Sequence, residues 1–168
     1  MKIALVGFMG TGKSTVGPIL AEELNIHFIE TDTLIEKEQN QSIKEIFNNK
    51  GEKYFRKIES KILKEVITKK NNFILSTGGG IVISTENRRL LKKNTRVILL
   101  EASPDVILDR VGENKERPLL KSKNPLQKIK KLMKKRKDYY YDFKMRINTD
   151  NKTPELIVEE IKNYIGVD

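Results

Sequence analysis

The chain contains no cysteine and no tryptophan, and His27 is its single histidine. Without thiols there are no disulfides, no thiolate metal ligands and no cysteine nucleophile, and one imidazole cannot build a histidine zinc site. The lack of cysteine fits a reducing, cytoplasmic setting. Long apolar runs are missing too. Val97 to Leu100 is far too short to span a bilayer, and the apolar start from Ile3 to Val6 runs into glycines instead of a longer export-type segment. Neither membrane insertion nor export is expected. What is present, 38% hydrophobic and 33% charged residues over a length of 168, suits one soluble domain spanning 1–168 with an ordinary core.

The formal net charge of +10 comes from one place. Residues 115–137 hold eleven Lys or Arg against the single acid Glu116, and the rest of the chain is neutral. Such a segment suits an anionic partner, a polyphosphate in a site that it covers, or simply a solvated lysine-rich face. No stacking aromatics or base-reading motif accompany the lysines, so nucleic acid is not expected as a partner. Arginine is scarcer, 8 against 25 lysines. Its planar fork recognises anions in a fixed pose, which singles out Arg56, Arg110, Arg117 and Arg136.

Short apolar runs at Lys2–Val6, His27–Glu30 and residues 72–76, 96–100 and 144–147 alternate with helical periodicity, for example Phe55, Ile58, Ile62, Leu63, Val66 and Ile67. Another helix should start after Ser103-Pro104. The alternation predicts βαβ units, hence an α/β fold with a parallel sheet covered on both faces. Residues 112–125, with two prolines and few apolar side chains, read as a surface loop suited to act as a lid.

Directly after the first predicted strand stands Gly7-Phe8-Met9-Gly10-Thr11-Gly12-Lys13-Ser14, which matches the phosphate-binding G-x-x-x-x-G-K-[ST] loop in its strand-to-helix context. Glycines let backbone N–H groups converge on phosphate oxygens, the helix N-terminus adds positive potential, Lys13 bridges phosphates and Ser14 ligates Mg²⁺. Pro18, four residues beyond Ser14, is expected to loosen or bend the helix that follows.

A phosphate loop does not say what accepts the phosphoryl group. The second strand is expected to end in Glu30-Thr31-Asp32, and side chains two apart on a strand share a face. One acid then suits Mg²⁺ and the other a hydroxyl proton, while helix capping is the plainer role. Gly78, Gly79 and Gly80 follow the third strand and allow close backbone approach by a substrate, or a simple turn. Arg56 and Glu59, one helical turn apart, suit either an oriented guanidinium or a surface pair. Arg136 continues the apolar stripe of Leu126, Ile129, Leu132 and Met133. It therefore needs a partner: a ligand carboxylate, or Asp138 or Asp142 of its own chain.

Taken together, the phosphate loop, Glu30-Thr31-Asp32, Phe55-Arg56-Lys57-Ile58-Glu59, the triple glycine, Arg117-Pro118-Leu119-Leu120 and Arg136 resemble shikimate kinase in order and spacing over nearly the whole chain. The resemblance implies a P-loop NTPase of nucleoside-monophosphate-kinase-like architecture, a three-layer sandwich on a five-stranded parallel sheet of order 2-3-1-4-5. It also implies a substrate-binding segment around 33–60, a lid around 112–124, and a monomer. The implied activity is ATP-dependent phosphorylation of the shikimate 3-hydroxyl to shikimate 3-phosphate and ADP, toward chorismate and the aromatic amino acids. Carried over, Asp32 binds the substrate hydroxyls and assists deprotonation. Arg56 and Arg136 hold the carboxylate, Glu59 orients Arg56, Gly78, Gly79 and Gly80 contact the substrate, and Phe47 and Phe55 wall the pocket. Gly10, Thr11, Gly12, Lys13, Ser14 and Thr15 bind the phosphates of ATP, Ser14 and Glu30 manage Mg²⁺, Arg117 reaches the transferring phosphate, and Arg110, Lys152 and Pro154 frame the adenine. The chain departs from the family pattern at Glu30, where Asp is usual, at Pro18, commonly basic, and at Asp138, commonly proline.

Overall fold

The computed structural model describes residues 1–112 and 124–167. Its centre is β1 (Lys2–Val6), buried from Ile3 onward. Alternate residues of that strand enter different cores: Ala4 and Val6 one, Ile3 and Leu5 the other. The two-residue period of a strand thus demands a cover on both faces.

Around it lie β2 (His27–Glu30), β3 (Phe73–Ser76), β4 (Arg96–Glu101) and β5 (Met145–Asn148), in the order β2-β3-β1-β4-β5 with every pairing parallel. These are the strands and the order expected, with ends displaced by a residue. Ser76 lies opposite both Leu5 and Glu30, and Val6 opposite Leu99, so the strands end level at one edge. In parallel α/β sheets that edge is where ligands bind.

One face of the sheet is covered by α1 (Lys13–Glu23), whose Val16 and Leu20 pack with Ile157, Val158 and Ile161 near the C-terminus. After β2 the chain turns into α2 (Thr31–Gln39) and α3 (Ile43–Thr68), the latter opened by a capping box between Ser42 and Glu45. Then α4 (Thr85–Asn94), α5 (Pro104–Gly112) and α6 (Pro125–Tyr140) join α3 on the opposite face, through Leu63, Val66, Leu91, Ile107 and Ile129. The last helix, α7 (Pro154–Ile165), returns to α1. Both α6 and α7 begin with proline just inside a side-chain cap, Asn124 and Thr153, where its missing N–H costs nothing. The result is the three-layer α/β sandwich.

Two local features bear on the site. At Pro18 the helix is not broken: α1 continues through it to Glu23. Gly17 before it has no Cβ to meet the proline ring, and an added one would lie 2.3 Å from the Phe28 ring. In α3, Gly51 leaves helical geometry at φ 77°, ψ 171°, so the segment over residues 33–60 comprises α2, a first short helix and a kinked continuation that carries Arg56.

The expected lid at 112–124 falls, apart from its two end residues, outside the described residues, and Arg117 with it.

Candidate active site

Gly12, at φ 94°, turns the phosphate loop into α1 in a left-handed conformation that favours glycine. Lys13 is buried and donates to the carbonyls of Gly7 at 2.9 Å and Phe8 at 2.8 Å, while Thr11 Oγ1 donates to Phe8 at 2.8 Å. The lysine folds back over its own loop and closes it. A cavity of about 550 Å³ opens beside it, lined by residues 9–16 together with Arg110, Lys152 and Pro154. Arg110 reaches the loop itself, donating to Gly10 O at 3.2 Å and to Thr149 Oγ1 and O at 2.9 Å each. Lys152 is paired with Glu160 at 2.6 Å.

The two acids do not share a strand face. Glu30 is the last residue of β2 and stands at the N-cap of α2, and Asp32 lies in the first helical turn. The strand ends two residues too early for alternation to relate them. Both nevertheless line one cavity, because the turn is tied down by Thr31, whose hydroxyl accepts the Gly78 N–H at 3.0 Å. Thr31 is fully buried, a structural role its position between two acids did not single out.

Ser14 Oγ donates to Glu30 Oε1, and Thr33 Oγ1 donates to Glu30 Oε2 at 3.2 Å. A hydroxyl and a carboxylate touching at the mouth of a phosphate loop are hard oxygen donors of the type Mg²⁺ takes when it keeps waters and phosphates in its remaining positions. Among the described residues no group of three or more His, Cys, Asp or Glu gathers as an all-protein metal cage. The residues fit Mg²⁺ bound in that shared manner.

A second cavity, about 470 Å³, holds Arg56, Glu59, Phe47, Phe55 and Arg136. The rings of Phe47 and Phe55 meet at 4.8 Å between centroids, a tilted contact forming one wall. Arg56 Nη1 donates to Glu59 Oε2 at 2.8 Å, and its Nη2 and Nε to Glu52 Oε1 at 3.2 and 3.3 Å. Glu59 is 1% exposed, so the pair is no surface ion pair. Burial pushes the Glu59 carboxyl up to about 7, with Arg56 working against the shift and the nearby Asp32 adding to it. Its Oε1 is buried without a hydrogen-bond partner among the described residues.

Arg136 is 4% exposed, while Lys130, Lys131, Lys134, Lys135 and Lys137 of the same helix face solvent. Its Nη1 donates to Gly79 O at 3.2 Å, and the guanidinium lies 5.7 Å from the Phe8 ring centroid. Neither candidate acid partners it: Asp142 is paired with Arg88 at 2.8 Å and Lys92 at 3.4 Å, and Asp138 points to solvent. Tyr140, one turn on, also donates to Gly79 O, at 2.5 Å. Its i+4 spacing from Arg136 was the available signal for it.

The triple glycine makes room for the protein's own groups. An added Cβ would lie 2.6 Å from Glu59 Oε1 at Gly78, 3.1 Å from Met9 N at Gly79 and 2.3 Å from Arg56 Nη2 at Gly80. The two cavities meet at Met9, Ser14, Glu30, Asp32, Gly78 and Gly79, which line both. A phosphate chain on one side and a small anion on the other would therefore have their reacting ends beside Asp32, Ser14 and Glu30.

A family model for shikimate kinase matches residues 9–166. The shikimate kinase of Sulfurihydrogenibium sp. (strain YO3AOP1) is 50% identical over 163 residues, 97% of this chain and 96% of that protein. The shikimate kinase of Persephonella marina (strain DSM 14350 / EX-H1) is 45% identical over 163 residues, 97% of this chain and 98% of that one. The solved shikimate kinase from Acinetobacter baumannii, in complex with shikimate, superimposes with a TM-score of 0.93 at 36% identity, covering 98% of this chain and 92% of that one. With identity at this level running through nearly the full length of both partners, the chain belongs to the shikimate kinase family.

Proposed function

We propose that this chain transfers the γ-phosphoryl group of ATP to the 3-hydroxyl of shikimate, giving shikimate 3-phosphate and ADP on the way to chorismate and the aromatic amino acids. The observation that carries the reading is the junction of the phosphate-loop cavity with the two-arginine cavity at Asp32, Ser14 and Glu30. A compact carboxylic acid bearing hydroxyls suits the second cavity: cations at its far end, a carboxylate at the junction, aromatic walls between.

In this reading Arg56 and Arg136 hold the shikimate carboxylate, with Glu59 fixing Arg56 by its 2.8 Å bond. The glycine loop at 78–80 lets the carboxylates and guanidinium pack around the acceptor at close range. Asp32 accepts a hydrogen bond from the 3-hydroxyl and takes its proton as the oxygen bonds to phosphorus and the bond to the ADP oxygen breaks. Backbone N–H groups of residues 10–15 bind the phosphates, and Lys13 exchanges its two carbonyl partners for phosphate oxygens. Ser14 and Glu30 would hold Mg²⁺, which when bound neutralises charge on the transferring and leaving oxygens. Arg110, Lys152 and Pro154 border the cavity at the nucleotide side, and Arg117 is assigned to the transferring phosphate on the resemblance alone. Positioning and electrostatics carry the rate, as phosphoryl transfer requires little else. The enzyme acts as a monomer in the cytoplasm, and its exposed α6 lysines form a solvated face with no nucleic-acid role.

A coupled ADP-release assay with ATP and Mg²⁺ tests this, run in parallel with shikimate, gluconate, nucleoside monophosphates and no acceptor. Turnover only with shikimate is the expected result. Faster turnover with another acceptor would remove the substrate assignment and leave the phosphate loop standing.

A further inference from the structure

Two donors on one face of α6 share one acceptor. Arg136 Nη1 and the Tyr140 hydroxyl both reach the Gly79 carbonyl oxygen, at 3.2 and 2.5 Å. A carbonyl has two lone pairs and can satisfy both, but the phenol bond is much the shorter. Gly79 is itself pressed against the phosphate loop, since an added Cβ would lie 3.1 Å from Met9 N. Its peptide is therefore a junction of three parts: the loop after β3, the phosphate loop, and α6.

The consequence concerns Arg136. A nearly buried guanidinium that must receive a ligand carboxylate has to turn from whatever it donates to beforehand. If Arg136 were the sole donor to Gly79 O, that turn would strip a partly buried carbonyl of its partner, and binding would bear the cost. Tyr140 removes the conflict. Its phenol keeps the carbonyl satisfied while the longer arginine bond is given up. We propose that Tyr140 is a positioning residue for Arg136: by holding the Gly79 carbonyl it anchors α6 to the glycine loop and frees the guanidinium for the acceptor's carboxylate.

Tyr140 suits the task because it is only 8% exposed and does not ionise in the working range, its phenol being pushed up to about 12 by burial. It remains a donor through neutral and mildly alkaline pH.

The inference rests on the reading that Arg136 binds the acceptor carboxylate, so the experiment separates the two. Wild type, Tyr140→Phe, Arg136→Ala and the double variant are compared for KM of shikimate, KM of ATP, kcat and thermal midpoint. The phenylalanine keeps the packed ring and removes only the hydroxyl. For Tyr140→Phe the KM of shikimate should rise about fivefold to tenfold, the size of one lost hydrogen bond, while the KM of ATP stays within about twofold. Added to Arg136→Ala, the same change should have no further effect on the KM of shikimate, because the residue it serves is gone. An unchanged KM of shikimate in Tyr140→Phe overturns the inference, as does a rise shared equally by both substrates, a fall in thermal midpoint with both constants unmoved, or full additivity in the double variant. Arg136→Ala with a wild-type KM for shikimate would instead fail the carboxylate reading itself.

Discussion

The carboxylates of Asp32 and Glu59 converge on the bare α-carbon of Gly78, where an added Cβ would lie 2.9 Å from Asp32 Oδ1 and 2.6 Å from Glu59 Oε1. Asp32 comes from the first turn of α2 and Glu59 from the middle of α3, so neither could be placed beside the other from local sequence. Three consequences of this site geometry, and one of the phosphate-loop mouth, can be measured.

Gly78→Ala should push both carboxylates from the acceptor side of the pocket. Overpacking of this kind costs about 1–3 kcal/mol, and a serious loss of kcat/KM for shikimate is expected beside a lower thermal midpoint. Steady-state kinetics and a melt on the purified variant check it. An alanine enzyme with wild-type kcat/KM would mean that the two carboxylates are free to move.

Glu59 links stability to pH. Its folded-state value of about 7 lies above the ordinary 4.5 because burial disfavours the charge. A raised carboxyl stabilises the folded chain fully below the unfolded value, and that contribution is lost as pH rises through the folded one. Relative to Glu59→Gln, the wild type should therefore lose thermal stability between pH 5 and pH 8. Melts of both proteins across this window read the difference, and parallel curves would contradict the assignment.

Arg136→Ala should raise the KM of shikimate by about a hundredfold, in line with truncating one member of a desolvated charge pair. The KM of ATP should change little. Arg136→Lys should recover only part of the loss, because an ammonium cannot reproduce the two-pronged geometry of the guanidinium. Full recovery by lysine would point to charge alone.

Glu30→Gln should raise the Mg²⁺ concentration for half-maximal rate by about tenfold, the smaller of the usual penalties for disturbing a metal's surroundings, without moving the KM of shikimate. Chelation with EDTA should abolish turnover in both proteins, and added Mg²⁺ should restore it. An unchanged Mg²⁺ requirement would take Glu30 out of the metal's surroundings and leave its contact with Ser14 as a structural cap.

Much of this was legible in the chain itself. The inner strands β3, β1 and β4 are legible to within a residue because strands covered on both faces appear as short, mostly apolar runs, whereas the edge strands β2 and β5 are only partly buried and mix polar with apolar residues. The phosphate loop was legible because its chemistry resides in consecutive backbone groups, and the inward side of α6 because helical spacing carried Arg136 onto the stripe with Ile129. The reading of Glu30 and Asp32 as strand neighbours failed for an equally local reason: β2 ends at Glu30, and from there the period is that of a helix.

The sequence by itself thus determined the sheet, the phosphate loop and the family, since each depends on residues close together along the chain or on their order. Only the tertiary structure decided what those residues meet. That Gly80 leaves room for Arg56, that Gly79 receives Tyr140, and that burial pushes the Glu59 carboxyl up all follow from packing between elements tens of residues apart. Desolvation and close approach are properties of the surroundings, and the surroundings of a side chain come into being only when the chain has folded.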